Sequence, residues 1–192
     1  MIERIEEQIE IAGRRLSIVR PPDAEALLDE AAFEREEFLP YWAELWPSAS
    51  ALADAVARSD LAGARVVELG CGLALPAIVA ALGGARVVAA DWSADALEFA
   101  AENARRNGVV ELELVLCSWT RPEPLLARAP FDLVLASDVL YERRDVRPLL
   151  ELLPRLAPET LLAEPGRPAS REFLAAVDAE EIAPRVYRLR HA

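Results

Sequence analysis

The sequence predicts an α/β fold, a doubly wound and mainly parallel sheet, as a single domain over residues 1–192 with a hairpin-and-helix extension at 1–47 and the core at 48–192. Three observations predict it. From Arg65 onward short apolar runs alternate with amphipathic stretches, the pattern of strands covered by helices on both faces. The first of these runs ends in a glycine pair, Gly70 and Gly72, that leads into a helix. A length of 192 residues suits one core, and no repeat, low-complexity stretch or interdomain linker divides it.

In chain order, residues 7–19 (EQIEIAGRRLSIV) place Ile9, Ile11, Leu16 and Ile18 at a period of two around Ala12-Gly13, which predicts a hairpin. Pro21-Pro22 breaks the chain, and residues 24–38 carry helical apolar spacing that Pro40 ends. The aromatic segment PYWAELWPS follows, with Ser48 or Ser50 as the cap of a helix through Leu52, Ala53 and Val56. The strands are ARVVELG, ARVVAAD, LELVLCSW, FDLVLASD and TLLAEP. Between them run a helix opened by Pro76, a helix from Ser93 to Arg106 with Leu97, Ala100, Ala101 and Ala104 on one face, and a leucine-rich helix from Asp145 to Leu156. A helix near Arg171 to Val177 precedes a terminal strand, RVYRLR.

Composition narrows the function. The chain is 53% hydrophobic, yet no apolar run reaches the ~18 residues of a membrane span. The start, MIERIEEQIE, lacks the basic-then-apolar order of a signal peptide, so a cytoplasmic location is expected, with no membrane partner. A net charge of -12 opposes nucleic-acid binding. Cys71, Cys117 and the single His191 have no zinc-ligand spacing, so no metal is expected. Every basic residue apart from His191 is arginine; the chain has no lysine.

The chemistry concentrates at strand ends. In Val66-Val67-Glu68-Leu69-Gly70-Cys71-Gly72-Leu73-Ala74-Leu75-Pro76 the glycines permit a tight turn and close approach of a ligand to the unpaired N–H groups of a helix start. Leu75 stands where a dinucleotide-binding motif would need its third glycine, and Glu68 suits a cofactor bearing a cationic amino group better than a pyrophosphate. Asp91 ends the second strand, where a carboxylate accepts hydrogen bonds from ribose hydroxyls. Trp92, together with Cys117, Ser118 and Trp119, offers apolar faces and polar edges for an adenine, although tryptophans serve cores as readily.

These motifs together resemble the class I, Rossmann-like methyltransferases, and within them the methyltransferase family 16 group of protein lysine methyltransferases. The resemblance spans Pro40 to Phe173: PYWAELWP before the sheet, ELGCG after the first strand, D-W after the second, SW after the third, SDVLYE after the fourth and AEPGRP after the fifth. It is nearest to the electron-transfer-flavoprotein β-subunit lysine methyltransferases. The resemblance implies S-adenosylmethionine as cofactor, with Gly70, Cys71 and Gly72 around its methionine part, Asp91 at its ribose, and Trp46, Trp119 and the Ser137 backbone lining it. It implies an amine site at Asp138 and Tyr141, and a protein substrate with an exposed lysine, the electron-transfer flavoprotein β subunit being its candidate. Glu164 is a second acidic candidate at the same strand ends, and Arg167 is expected either to pair with Glu164 or to meet an acidic part of the substrate.

Two departures from the pattern stand out. Ala74 replaces a third glycine, and RVYRLR predicts one strand after the last helix where the wider fold carries an antiparallel pair. The rival expectations are a small-molecule amine N-methyltransferase and a cofactor-binding module without turnover, since one cofactor half serves many acceptors.

Overall fold

A computed structural model describes residues 2–24, 27 and 40–191. The helix expected over 24–38 lies almost wholly outside the described residues. The described chain runs β1 (Ile5–Ile11), β2 (Arg14–Arg20), a 3-10 turn (Tyr41–Ala43), α1 (Pro47–Ala57), β3 (Arg65–Leu69), α2 (Leu75–Leu82), β4 (Arg86–Asp91), α3 (Ala94–Arg106) and β5 (Leu112–Leu116). It continues with α4 (Glu123–Leu126), β6 (Leu133–Ser137), α5 (Arg143–Leu156), β7 (Glu159–Ala163), α6 (Pro168–Leu174), β8 (Ala179–Ala183) and β9 (Val186–Arg190).

The main sheet has seven strands in the order β5-β4-β3-β6-β7-β9-β8, parallel from β5 to β7 and antiparallel beyond. The chain starts centrally at β3, moves outward through β4 and β5, then returns to β6 on the other side. That reversal opens a crevice beyond the carboxyl ends of β3 and β6, where open α/β sheets bind ligands.

Strand alternation sorts the core into two layers. Val66 and Leu135 point to a layer with Leu52, Ile78 and Phe99, while Val67, Val134 and Ala136 face one containing Leu149, Leu152 and Phe173. Each central strand is therefore buried on both sides, which is why its sequence reads as a continuous apolar run. Among the described residues no helix is long and apolar enough to cross a membrane.

The expected hairpin is present, with Ile11, Leu16 and Ile18 buried. Ala12 and Gly13 both take positive φ, 49° and 79°, the combination a two-residue turn needs to match strand twist. Asn103 in α3 and Asn107 at its C-cap hold the hairpin in place. Asn103 accepts the Val19 N–H at 2.7 Å and donates to the Val19 carbonyl at 3.1 Å; Asn107 does the same for Ser17 at 2.9 and 2.8 Å. Residues four apart on a helix and two apart on a strand both repeat at roughly 6–7 Å, so the two amides stand in for a neighbouring strand.

Asn103 also donates to the Leu73 carbonyl at 3.1 Å, tying the hairpin to the turn after β3. Asn103→Ala leaves buried main-chain groups without partners and is expected to cost about 2–4 kcal/mol, a fall of roughly 5–15 °C in Tm for a domain of this size. Thermal unfolding followed by circular dichroism checks this; a Tm within 2 °C of wild type would contradict it.

Three expectations need correction. α1 begins at Pro47 with Trp46 as its cap residue, and Ser48 is buried inside the helix without capping it. α6 begins at Pro168, earlier than expected. The far edge holds two strands: the acidic segment AEEIA forms β8, and β9 inserts between it and β7. An outermost strand needs hydrogen bonds on one side only, so β8 forms without the apolar run that marks a central strand.

Candidate functional site

The carboxyl ends of β3, β4, β5 and β6 open into a cavity of about 880 Å3 lined by the turn after β3, Asp91 and Trp92, residues 116–121, and Ser137, Asp138 and Tyr141. Its size lies in the range of cofactor sites. It contains most of the predicted site: Trp46, Gly70, Cys71, Gly72, Asp91, Trp92, Ser118, Trp119, Ser137, Asp138 and Tyr141 all line it. Glu68, Glu164 and Arg167 do not.

The two glycines are dictated by close packing as well as by turn geometry. Gly70 has φ +60°, and a Cβ there would lie 3.2 Å from a Val139 methyl and 3.5 Å from the Trp119 ring. Gly72 has φ +49°, and a Cβ would sit 3.2 Å from the Trp42 carbonyl oxygen, because the aromatic segment crosses directly over the turn. Ala74, at the position of the expected third glycine, takes the left-handed conformation at φ 62° and caps α2. An alanine there carries strain that glycine would not.

Asp91 is buried at the end of β4. One carboxylate oxygen accepts the Gly72 N–H at 2.9 Å and the other accepts the Ser93 N–H at 2.9 Å, so Asp91 braces the glycine turn against the start of α3. A carboxylate has about four acceptor sites, which leaves capacity for a ligand hydroxyl. Burial raises the Asp91 pKa above the usual aspartate range, opposed by those backbone hydrogen bonds. Trp92 lines the cavity and is 40% exposed.

Glu68 takes a different place from the one predicted. It is fully buried beneath the turn, accepting the Ala77 N–H at 2.8 Å in the first turn of α2. Its other oxygen is buried and has no hydrogen-bond partner among the described residues. Burial drives its pKa well above the usual glutamate range, reinforced by the charge of Asp91. A carboxyl whose pKa is raised on folding supports the fold fully below the ordinary glutamate value of about 4.3, and that support is lost as pH rises through the raised folded-state value. Glu68→Gln is therefore expected to flatten the decline of stability as pH rises above the ordinary glutamate value of about 4.3. Urea unfolding across that range checks it; a variant that loses stability with pH as steeply as wild type would contradict it.

At the opposite wall, Asp138 follows β6 with φ 53°, a left-handed conformation that aspartate tolerates better than most residues. Its N–H donates to the Ala163 carbonyl at the end of β7, at 2.9 Å. Pairing of β6 with β7 brings the loop after β7 alongside it. Arg167 from that loop grips the Asp138 carboxylate at both oxygens, Nε to Oδ1 at 2.7 Å and Nη2 to Oδ2 at 2.9 Å. The expected Arg167–Glu164 pair is replaced by this one. Glu164 is instead buried, accepting the Gly166 N–H at 2.5 Å and facing Arg185 at 3.8 Å.

Aromatic rings surround the carboxylate. Tyr141 stacks with Tyr41 at 5.4 Å between centroids and lies 6.4 Å from Trp119, and the Arg167 guanidinium sits 5.9 Å from the Tyr141 ring centre. Burial, with Asp91, Asp138 and Asp145 adding negative charge, holds the Tyr141 phenol well above its ordinary pKa, so it remains a hydroxyl at physiological pH. Tyr41 and Asp145 are among the lining residues that the sequence reading did not single out. Tyr41 sits one residue after Pro40 in the aromatic segment, and its carbonyl accepts the Trp46 indole N–H at 2.7 Å. Asp145 accepts the Trp119 indole N–H at 3.1 Å and closes a capping box with Glu142, whose three-residue spacing was the available signal.

Comparison with known proteins places this arrangement. A family profile described as a methyltransferase domain matches residues 60–174. Histone-arginine methyltransferase METTL23 of Xenopus laevis is 37% identical over 127 residues, 60% of this chain and 54% of that protein. Ribosomal protein L11 methyltransferase of Serratia proteamaculans (strain 568) is 40% identical over 98 residues, 50% of this chain and 32% of that protein. The chain thus spans about half the length of the first relative and a third of the second. Among solved structures, the T. thermophilus 16S rRNA N2 G1207 methyltransferase (RsmC), in complex with AdoMet and guanosine, shares the fold at a TM-score of 0.69 and 14% identity, over 98% of this chain and 51% of that one.

Proposed function

Since the chain belongs to the methyltransferase domain family, we propose that it transfers a methyl group from S-adenosylmethionine to a side-chain nitrogen of a protein. The observation that carries this reading is the continuity of the cavity from the Gly70–Gly72 turn and Asp91 to the Asp138–Tyr141 wall. One end suits an amino-acid nucleoside and the other a cationic acceptor. When bound, the cofactor would supply a sulfonium-bound methyl group for in-line attack by a neutral nitrogen, with the thioether as leaving group.

The chain's own residues then have separate tasks. The glycine turn and Asp91 hold the amino-acid and ribose parts, and Trp92 and Trp119 cover the base. Asp138 orients the acceptor through its charge and Tyr141 shapes the slot with its ring and hydroxyl. Alignment of nitrogen and methyl to within about 3 to 3.5 Å supplies most of the rate. A lysine acceptor must shed its proton to solvent first, its free pKa being about 10.4.

Lysine is the acceptor that the sequence motifs imply, with the electron-transfer flavoprotein β subunit as their candidate protein. Arginine is a second reading favoured by a specific observation: Asp138 already binds a guanidinium in bidentate geometry. The histone-arginine relative points the same way. Transfer of tritiated methyl into a lysate, with hydrolysis of the labelled protein, tests both. Methyllysine or methylarginine in a protein band supports protein methylation and names the acceptor; label confined to small molecules overturns it. Any methyllysine comes from the acceptor, because the tag-free chain contains no lysine.

A further inference from the structure

We infer that Arg167 is a resident counter-ion of the acceptor site, held by Asp138 until a substrate cation takes its place, and that this exchange restricts acceptors to cationic side chains. The inference rests on reading Asp138 as the acceptor group. The Asp138 side chain is only 5% exposed, while that of Arg167 is 34% exposed. Asp138 is fixed by its left-handed backbone and its hydrogen bond to Ala163. A buried carboxylate without a cation is costly, so Asp138 requires a partner even in the absence of substrate.

Asp138 lines the cavity, and Arg167, which grips its carboxylate, does not. The main chain around Arg167 is pinned: Glu164 donates its N–H to the Arg185 carbonyl at 3.1 Å, and the Arg167 carbonyl accepts the first-turn bond of α6 from Arg171 at 3.2 Å. Release of Asp138 therefore needs only rotation of the half-exposed Arg167 side chain into solvent. A neutral acceptor cannot compensate the charge that Arg167 would leave behind. A guanidinium or ammonium can, a guanidinium with both of the hydrogen bonds it replaces.

The test uses methylguanidinium as a probe and needs no turnover. Calorimetric titration in the presence of S-adenosylhomocysteine is run on wild type, Arg167→Ala, Arg167→Gln and the double variant Arg167→Ala with Asp138→Asn, each checked for folding by its thermal transition. Exchange predicts that both single variants bind the probe at least tenfold more tightly than wild type, because the internal competitor is gone, and that the double variant loses this gain. Equal binding by wild type and the single variants, or a gain that survives Asp138→Asn, would overturn it. On a protein that the enzyme methylates, Arg167→Gln should lower KM. A fall of kcat beyond tenfold at unchanged KM, restored by added guanidinium ion, would instead make Arg167 a permanent positioning residue and refute exchange. If the titrations behave as stated while no protein accepts methyl, the counter-ion site stands and the functional reading alone fails.

Discussion

Asp138→Asn is expected to reduce methyl transfer about 10²- to 10⁴-fold, the range for a group that positions an acceptor or handles its proton, while cofactor affinity stays within about threefold. Asparagine tolerates the left-handed backbone at φ 53° as aspartate does, so the turn after β6 should persist. It keeps the size and removes the charge that holds a cation, and one amide cannot offer two acceptor oxygens to a guanidinium. Single-turnover transfer from labelled cofactor, with parallel calorimetry, separates the effects. Turnover near wild type with weakened cofactor binding would move Asp138 to the cofactor side.

Asp91→Ala should act in the opposite sense, weakening S-adenosylmethionine binding about ten- to a hundredfold through loss of hydrogen bonds worth roughly 1.5 to 3 kcal/mol. The structure adds a second contribution. Asp91 accepts the N–H groups of both Gly72 and Ser93, so its removal also loosens the glycine turn it braces. Saturating cofactor should then recover much of kcat. Unchanged affinity in the variant would take Asp91 out of the site.

What the sequence made legible follows from how locally each feature is encoded. The strand, glycine turn and helix from Val66 to Pro76 form one continuous segment, and Asp91, Ser137 and Asp138 mark strand ends directly. The Arg167–Asp138 pair was not legible, because 29 residues separate the two and only the pairing of β6 with β7 makes them neighbours. Glu68 was legible as an acid before the turn, but strand alternation, which turned it under the turn and toward Ala77, decided its role. β8 escaped because an acidic edge strand has no apolar periodicity to display. Gly72 was read for ligand approach; the crossing of Trp42 above it is a tertiary reason that local sequence does not show.

A cofactor site at Asp91 and an acceptor site at Asp138 are proposed to share one cavity. A crystal structure with S-adenosylhomocysteine tests it most directly. Both ribose hydroxyls are expected within hydrogen-bonding distance of the Asp91 carboxylate, with the sulfur directed toward Asp138 and Tyr141. A bound ligand whose sulfur faces away from Asp138, or whose ribose lies beyond the reach of Asp91, would contradict it.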